Sequence, residues 1–398
     1  MIDFSIPPEL EAVRQRTTAF MEEFVYPNEG KLVEDEGLPA DLEADLQGRV
    51  KALGLWAPNL PSEWGGMGIG YIGQALMNEI VGRSVFAPRL FGNAAPDAGN
   101  AELLLVAATD EQKEKYLRPL AAGEVRSCFA MTEPEVAGSD PTGLRTTAVR
   151  DGDEWVINGH KWFASGAIGS EFAVVMAVTD QAADRHARAS MILVPTATPG
   201  FNIVRDVPVM GSSGVGGHCE IRFQDCRAPL GNLLGELGQG FRLAQARLGP
   251  GRIQHCMRWI GAAQRSFEMM CAYALKRQSF GEPLGKKQTV QNWIADSAAE
   301  INAARLMTLN AAWKLDRGDD ARIEISLIKF FGARVLHDVI DRAIQVHGAL
   351  GYSKDTPLEM FYRDARAARI YDGPDEVHRQ VVAQRILKTF ERENAGKV

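Results

Sequence analysis

The sequence is poor in the residues that build stapled or metal-bound scaffolds. Its five cysteines, Cys128, Cys219, Cys226, Cys256 and Cys271, are an odd number at scattered spacings with no C-x-x-C pair, which excludes a disulfide framework and a structural zinc site. The seven histidines include no H-x-x-x-H pair, so the pattern gives a metal centre no support. No run of roughly eighteen apolar residues is present, which excludes a helical membrane span. Lys and Arg form no block and the net charge is only −7, so nucleic acid and acidic membrane surfaces are poor partners. The chain opens directly on an amphipathic pattern without a signal h-region or an Arg-rich transit segment, and a cytoplasmic location is the expectation. What is present is 398 residues with 45% apolar content, enough for two or three domains. Neither an internal repeat nor a low-complexity linker interrupts it.

The spacing of Leu10, Val13, Phe20, Met21 and Phe24 predicts a helix from Ser5, its expected cap, to about Tyr26. Further helices are expected at Ala40 to Leu53, Ile72 to Ser84 and Asp97 to Ala108. Thr109 with Gln112 makes a capping-box start for another, through Leu120. Residues 1–125 therefore read as an all-α domain. The texture changes at Arg126 to short β-rich segments separated by turn pairs such as Asp151-Gly152 and Asn158-Gly159. Cys219, Ile221 and Phe223 alternate with polar neighbours, as a strand with one dry face requires. Residues 126–239 read as a β domain, a small barrel or sandwich. Helical texture returns over 240–398, with expected helices at Phe241 to Leu248, Arg252 to Gln278, Lys287 to Asp316, Ile323 to Gln345 and Val377 to Phe390, lengths that suit a bundle.

Five stretches carry features a plain core does not need. In I-Y-D-G-P-D-E-V-H-R, Asp372 stands at a break made by Gly373 and Pro374, and Asp375 and Glu376 open the next helix, where free N–H groups suit a phosphate or a simple cap. F-A-M-T-E-P-E-V-A-G-S-D, Phe129 to Asp140, offers hydroxyls and backbone N–H groups to an anion or heterocycle, or is an ordinary strand exit. W-F-A-S-G, Trp162 to Gly166, provides a stacking wall for a flat ring, or a core tryptophan. R-Q-S-F-G-E-P-L places Arg277 and Phe280 at the end of a long helix that stops at Gly281. G-A-L-G after Gln345 permits close approach, or is a C-cap.

Together these stretches resemble the acyl-CoA dehydrogenase flavoproteins over nearly the whole chain. R-L-G-P-G-R-I-Q-H-C-M-R, with D-G-P-D-E-V-H, is similar to the branch of acyl-CoA dehydrogenase family members ten and eleven. The resemblance implies an α+β multidomain fold: an N-terminal α-helical domain, a middle β-barrel domain and a C-terminal four-helix bundle, assembled as a homodimer or homotetramer. It implies FAD as cofactor, acyl-CoA as substrate and an electron-transfer flavoprotein as partner. Phe129, Met131 and Thr132, with Trp162, Phe163 and Ala164, are the implied contacts around the flavin ring, and Ser139 is a further implied cofactor contact. Arg277, Phe280, Gln288, Gln345, Val346, Gly348 and Ala349 are implied for the adenosine diphosphate half in a neighbouring subunit. Pro374, Asp375 and Glu376 are implied at the flavin from a helix start. Ser139, Gly249, Pro250, Gly251, Arg252 and Gly373 are implied to face the acyl-CoA, with Asp372 the catalytic carboxylate.

A thioester α-proton is weakly acidic, so a base must act while donors stabilise the enolate oxygen, and β-hydride then passes to flavin N5. Most of the family carries Glu where this chain has Asp372, which shortens the reach by roughly 1.5 Å. Gly251 occupies the position from which some members supply the base, and it cannot serve. Ala164 and Pro374 each replace a Thr, and Ala349 a Gly. Rival functions are a nitroalkane oxidase, which also uses an aspartate base, a dehydrogenase of 4-hydroxy or 4-phospho acyl-CoA, and, least favoured because Asp372 is retained, a non-enzymatic flavoprotein scaffold.

Overall fold

The computed structural model describes residues 5–395. In chain order the helices are α1 (Pro8–Phe20), α2 (Ala40–Ala52), α3 (Gly70–Val81), α4 (Ala87–Leu90), α5 (Asp97–Ala107), α6 (Asp110–Gln112) and α7 (Arg118–Ala122). Strands β1 (Ser127–Ala130), β2 (Thr147–Asp151), β3 (Glu154–Ser165), β4 (Phe172–Val178), β5 (Ala189–Pro195), β6 (Phe201–Asp206), β7 (His218–Pro229) and β8 (Leu233–Leu234) follow. Then come α8 (Gly240–Lys276), a small hairpin of β9 (Gln278–Ser279) and β10 (Glu282–Pro283), α9 (Gln288–Asp316), α10 (Arg322–His347), α11 (Ala349–Tyr352), α12 (Leu358–Ala367) and α13 (Asp375–Glu393). No helix among the described residues is long and apolar enough to cross a membrane.

The chain packs as two compact units, one of Met1–Pro27, Ile69–Pro88 and Gly249–Val398, the other of Asn28–Gly68 and Arg89–Leu248. The first is helical. α10 packs against α9, α12 and α13, while α3 joins α9 and α1, around a core that includes Ile253, Cys256, Trp259, Ile301, Ile328 and Val339. Asp316, at the end of α9, accepts from the N–H of Tyr71 and Ile72 at 2.6 and 2.9 Å, satisfying two orphan donors of α3. The second unit holds the sheet, in the order β6-β7-β3-β2-β4-β5-β8, with β1 pairing parallel to β4. Its dry face gathers Ala148, Ile157, Val175, Ile192, Cys219, Ile221 and Phe223.

The Thr109 capping box forms as expected, Thr109 Oγ1 accepting from Gln112 N–H at 3.2 Å and Gln112 Oε1 from Thr109 N–H at 3.1 Å. Four local expectations need correction. Ser5 does not cap α1: Pro7 is the N-cap and, having no side-chain acceptor, makes no cap bond, while Pro8 at the first position has its φ preset for the helix. Asn158-Gly159 is not a turn but lies inside β3 at a register shift, where Ile157 pairs with Cys226 and Gly159 with Phe223, so that β7 carries the extra residue. The Gly249 to Arg252 stretch is not a break between two helices, since Gly249, Pro250 and Gly251 lie within α8, a continuous helix of 37 residues. At its other end α8 stops at Lys276, before Arg277, and Phe280 sits in the β9–β10 hairpin with φ +52°.

Candidate active site

In the helical unit the chain leaves α12 and breaks at Asp372 before α13 begins. Asp372 has φ +55°, unusual for a residue with a side chain, and Gly373 has φ +100°, where a Cβ would meet His378 Nε2 at 2.8 Å. Such a corner persists only if its surroundings hold it. Arg252 Nε, from α8, donates to the Asp372 carbonyl at 2.9 Å, and His378 Nε2 donates to the same oxygen at 3.1 Å. From α10, Lys329 Nζ donates to the carbonyls of Ala368 at 2.7 Å and Gly373 at 3.1 Å. The backbone is thus fixed, while the Asp372 side chain, 19% exposed, keeps Oδ2 3.4 Å from His255 Nε2.

The electrostatics of this corner follow from burial. Desolvation, reinforced by the Arg252 guanidinium, pushes His378 down to about 4, so at neutral pH it is an uncharged donor through Nε2. Its Nδ1 is buried without a hydrogen-bond partner, as a neutral ring tolerates better than a charged one. Burial also lowers Arg252 and Lys329 from their usual ranges and raises Tyr371, whose hydroxyl accepts from Trp259 Nε1 at 2.8 Å. Asp375 is buried at the start of α13, with Oδ2 3.0 Å from Arg369 Nε and Oδ1 unpartnered.

In the sheet unit, β1 exits against β3. Trp162 N–H donates to Thr132 O at 3.1 Å and Thr132 Oγ1 donates to Trp162 O at 2.9 Å, so the structure brings Met131 and Thr132 beside Trp162, Phe163 and Ala164. Lys161, fully buried, donates to Met131 O and to Glu133 Oε1, each at 2.8 Å. Glu133 also accepts from the N–H groups of Arg145 and Thr146; burial alone would raise its carboxyl, but Lys161 and these donors hold it below its ordinary value. A second register shift, between Lys161 and Ala164, accompanies φ +50° at Phe163 and leaves that ring 41% exposed beside Trp162. Ala164 is buried and Ser139 exposed on the loop that folds back over Thr132, while Phe129 lies under the Arg247 guanidinium at 4.2 Å.

The remaining sequence candidates group elsewhere in the helical unit. Arg277 and Gln288 are exposed on either side of the hairpin, whose tip presents Phe280 at 96% exposure. Gln345, Gly348 and Ala349 are exposed at the α10–α11 junction, Gly348 with φ +62°, whereas the Val346 side chain is buried. Sequence reasoning passed over Lys161, Lys329, His255 and His378. For Lys329 a signal existed, a single cation inside the apolar run I-S-L-I-K-F-F. For Arg252, His255 and Arg258 the signal was their spacing of three, one helix face.

The comparisons with known proteins agree along the whole chain. The N-terminal domain of acyl-CoA dehydrogenases matches residues 7–124, the middle domain 128–226 and the C-terminal domain 238–387. The chain belongs to the acyl-CoA dehydrogenase family. It is 44% identical over 396 residues to the protein of Mycobacterium tuberculosis described as probable acyl-CoA dehydrogenase FadE2, covering 96% of each. It is 42% identical to mouse acyl-CoA dehydrogenase family member 10 over 97% of its own length but only 38% of that longer protein. The solved butyryl-CoA dehydrogenase of Megasphaera elsdenii superposes with a TM-score of 0.85 at 28% identity, covering 97% of this chain and all of that one.

The chain is accordingly a flavin-dependent oxidoreductase of the three-domain acyl-CoA dehydrogenase architecture, with FAD as its cofactor. The residues present fit such a group: in the sheet unit Phe163 and Trp162 stand edge to face with the Phe163 ring 41% exposed, a flat apolar wall for a flavin ring, and in the helical unit the Asp375 carboxylate keeps one oxygen unpartnered at the start of α13. Among the described residues no group of three or more His, Cys, Asp or Glu side chains could hold a metal ion.

Proposed function

We propose that the chain is an α,β-dehydrogenase of acyl-CoA thioesters in which Asp372 removes the α-proton, giving a trans-2-enoyl-CoA. The observation that carries this reading is the Asp372 corner: a partly exposed carboxylate on a left-handed backbone whose carbonyl is clamped by Arg252 and His378. Clamping matters because an aspartate reaches less far than a glutamate, so its backbone must start from one fixed place for its oxygen to meet the α-carbon. Asp372 then takes the proton on a carboxylate oxygen, and its own backbone N–H is the proposed donor to the thioester oxygen as negative charge develops there. FAD, when bound, supplies the acceptor for the β-hydride.

Phe129, Met131, Thr132, Trp162, Phe163 and Ala164 would hold the flavin ring, with Pro374, Asp375 and Glu376 at the start of α13. Arg277, Phe280, Gln288, Gln345, Val346, Gly348 and Ala349 would serve the adenosine diphosphate half in an oligomer of two or four chains. Ser139, Gly249, Pro250, Gly251, Arg252 and Gly373 would face the acyl-CoA, and an electron-transfer flavoprotein would take the electrons. The Ala164 side chain offers no hydroxyl to the ring, so binding there rests on the Trp162–Phe163 wall and on backbone groups.

The test is Asp372→Asn under anaerobic conditions. The variant should keep FAD and bind acyl-CoA while reducing the flavin roughly a hundred- to ten-thousand-fold more slowly. Undiminished bleaching would remove Asp372 from the mechanism. Titrating the wild-type protein with straight, branched and hydroxylated acyl-CoA gives the substrate class, and fast oxygen-dependent turnover of nitroalkanes without acyl-CoA turnover would move the chain to the oxidase reading.

A further inference from the structure

We infer that His255 is a positioning residue for Asp372: an uncharged imidazole that directs its Nε2–H at Asp372 Oδ2 and so leaves Oδ1 as the oxygen that takes the proton. The inference rests on the reading of Asp372 as the base and adds to it a residue that decides where the short side chain points.

The tautomer follows from Arg258. His255 Nδ1 lies 3.0 Å from Arg258 Nη2, and a guanidinium has donors only, so Nδ1 must accept. A neutral imidazole with an accepting Nδ1 carries its hydrogen on Nε2, which is the nitrogen 3.4 Å from Asp372 Oδ2. That separation is long for a full hydrogen bond, as is common at such sites before substrate expels water, and a small torsion of either side chain closes it. The ring is held while this happens. It stacks on Trp259 with centroids 6.2 Å apart at 24°, and Tyr371, itself bonded to Trp259, stands 5.1 Å away on another side. All three polar groups come from one face of α8, where Arg252, His255 and Arg258 recur every three residues. Arg252 fixes the Asp372 carbonyl and Arg258 the imidazole.

The same geometry excludes His255 as the base or as a relay. Its only lone pair in the ring plane is taken by Arg258, and a second proton on Nδ1 would face a guanidinium. When the C–H bond of the substrate breaks, the new O–H bond therefore forms on Asp372 and the proton stays there. A carboxylate has two soft torsions and two equivalent oxygens. Tethering one oxygen turns the other toward a fixed direction, which is the kind of alignment in which a misplacement of about 1 Å costs about a hundredfold.

The experiment compares His255→Gln with His255→Leu in the FAD-loaded protein. The Gln side chain can accept from Arg258 through Oε1 and donate to Asp372 through Nε2. It should keep the limiting rate of flavin reduction within about threefold, whereas Leu should lower it about 10- to 100-fold with the acyl-CoA dissociation constant little changed. Independently of turnover, the imidazole 15N resonances that disappear in His255→Gln should be those of a neutral Nε2–H tautomer at neutral pH. An imidazolium or an Nδ1–H tautomer, wild-type rates in His255→Leu, or Gln as slow as Leu would each overturn the inference. Failure of the underlying reading looks different: Asp372→Asn would then remain fast whatever stands at position 255.

Discussion

Two corners of the backbone are held by buried lysines, and what answers each lysine differs. In the sheet unit Lys161 meets a carboxylate, Glu133, which is itself saturated by two backbone N–H groups, so charge is matched locally and the strand exit at Met131 is rigid and neutral. In the helical unit Lys329 meets only carbonyls, Ala368 O and Gly373 O, and the faces of Trp259 and Tyr371 at 5.5 and 5.8 Å. The first arrangement serves a wall. The second serves the corner itself, fixing the backbone on both sides of Asp372 without pairing the lysine to a carboxylate.

Substituting each lysine by methionine tests that contrast. Lys161→Met strands a buried carboxylate and should cost about 3–5 kcal/mol of unfolding free energy in urea titrations. Lys329→Met strands only carbonyl oxygens and should cost about 1–3 kcal/mol. Equal losses would mean the two corners are held in the same way.

Acid separates the corners next. The folded protein protonates His378 only near pH 4, while an unfolded histidine takes its proton near 6.5. In that window the unfolded chain binds more protons, so the contribution of His378 is complete above about 6.5 and lost as pH falls through 4, by ~3 kcal/mol. Glu133, held below its ordinary value, resists until lower pH. Stability measured from pH 7 to 4 should therefore slope downward, and His378→Gln, which keeps a donor without the titration, should flatten the slope. An unchanged slope would remove His378 as its source. The smallest effect on folding belongs to the hairpin, which no buried cation holds. Arg277→Ala should leave stability within about 0.5 kcal/mol yet lose FAD on dilution, read from the flavin absorbance of the recovered protein; full retention would take Arg277 out of the cofactor site.

The sequence made the architecture legible because helical periodicity, the Thr109–Gln112 box and the alternation at Cys219, Ile221 and Phe223 are local signals. The break at Asp372-Gly373-Pro374 was legible for the same reason. G-P-G at 249–251 misled, because those residues normally end a helix, whereas here α8 runs through them without a break. The partners of the lysines were illegible for the opposite reason, even though the apolar run around Lys329 marked that lysine as buried. A lone Lys reads as solvated, and the carbonyls that Lys161 and Lys329 satisfy come from segments about 30 and 40 residues away.

Deep in the helical unit, α3 and α8 cross at two glycines. A Cβ on Gly82 would lie 2.2 Å from the Arg258 Cα, and one on Gly261 would lie 2.0 Å from the Glu79 carbonyl oxygen. Two missing methyl groups thus set the phase of the rod that carries Arg252, His255 and Arg258, and any longer side chain at either position must slide or turn that rod. Damage at Gly82 would therefore be felt beyond the crossing itself, at the aspartate whose aim depends on that rod.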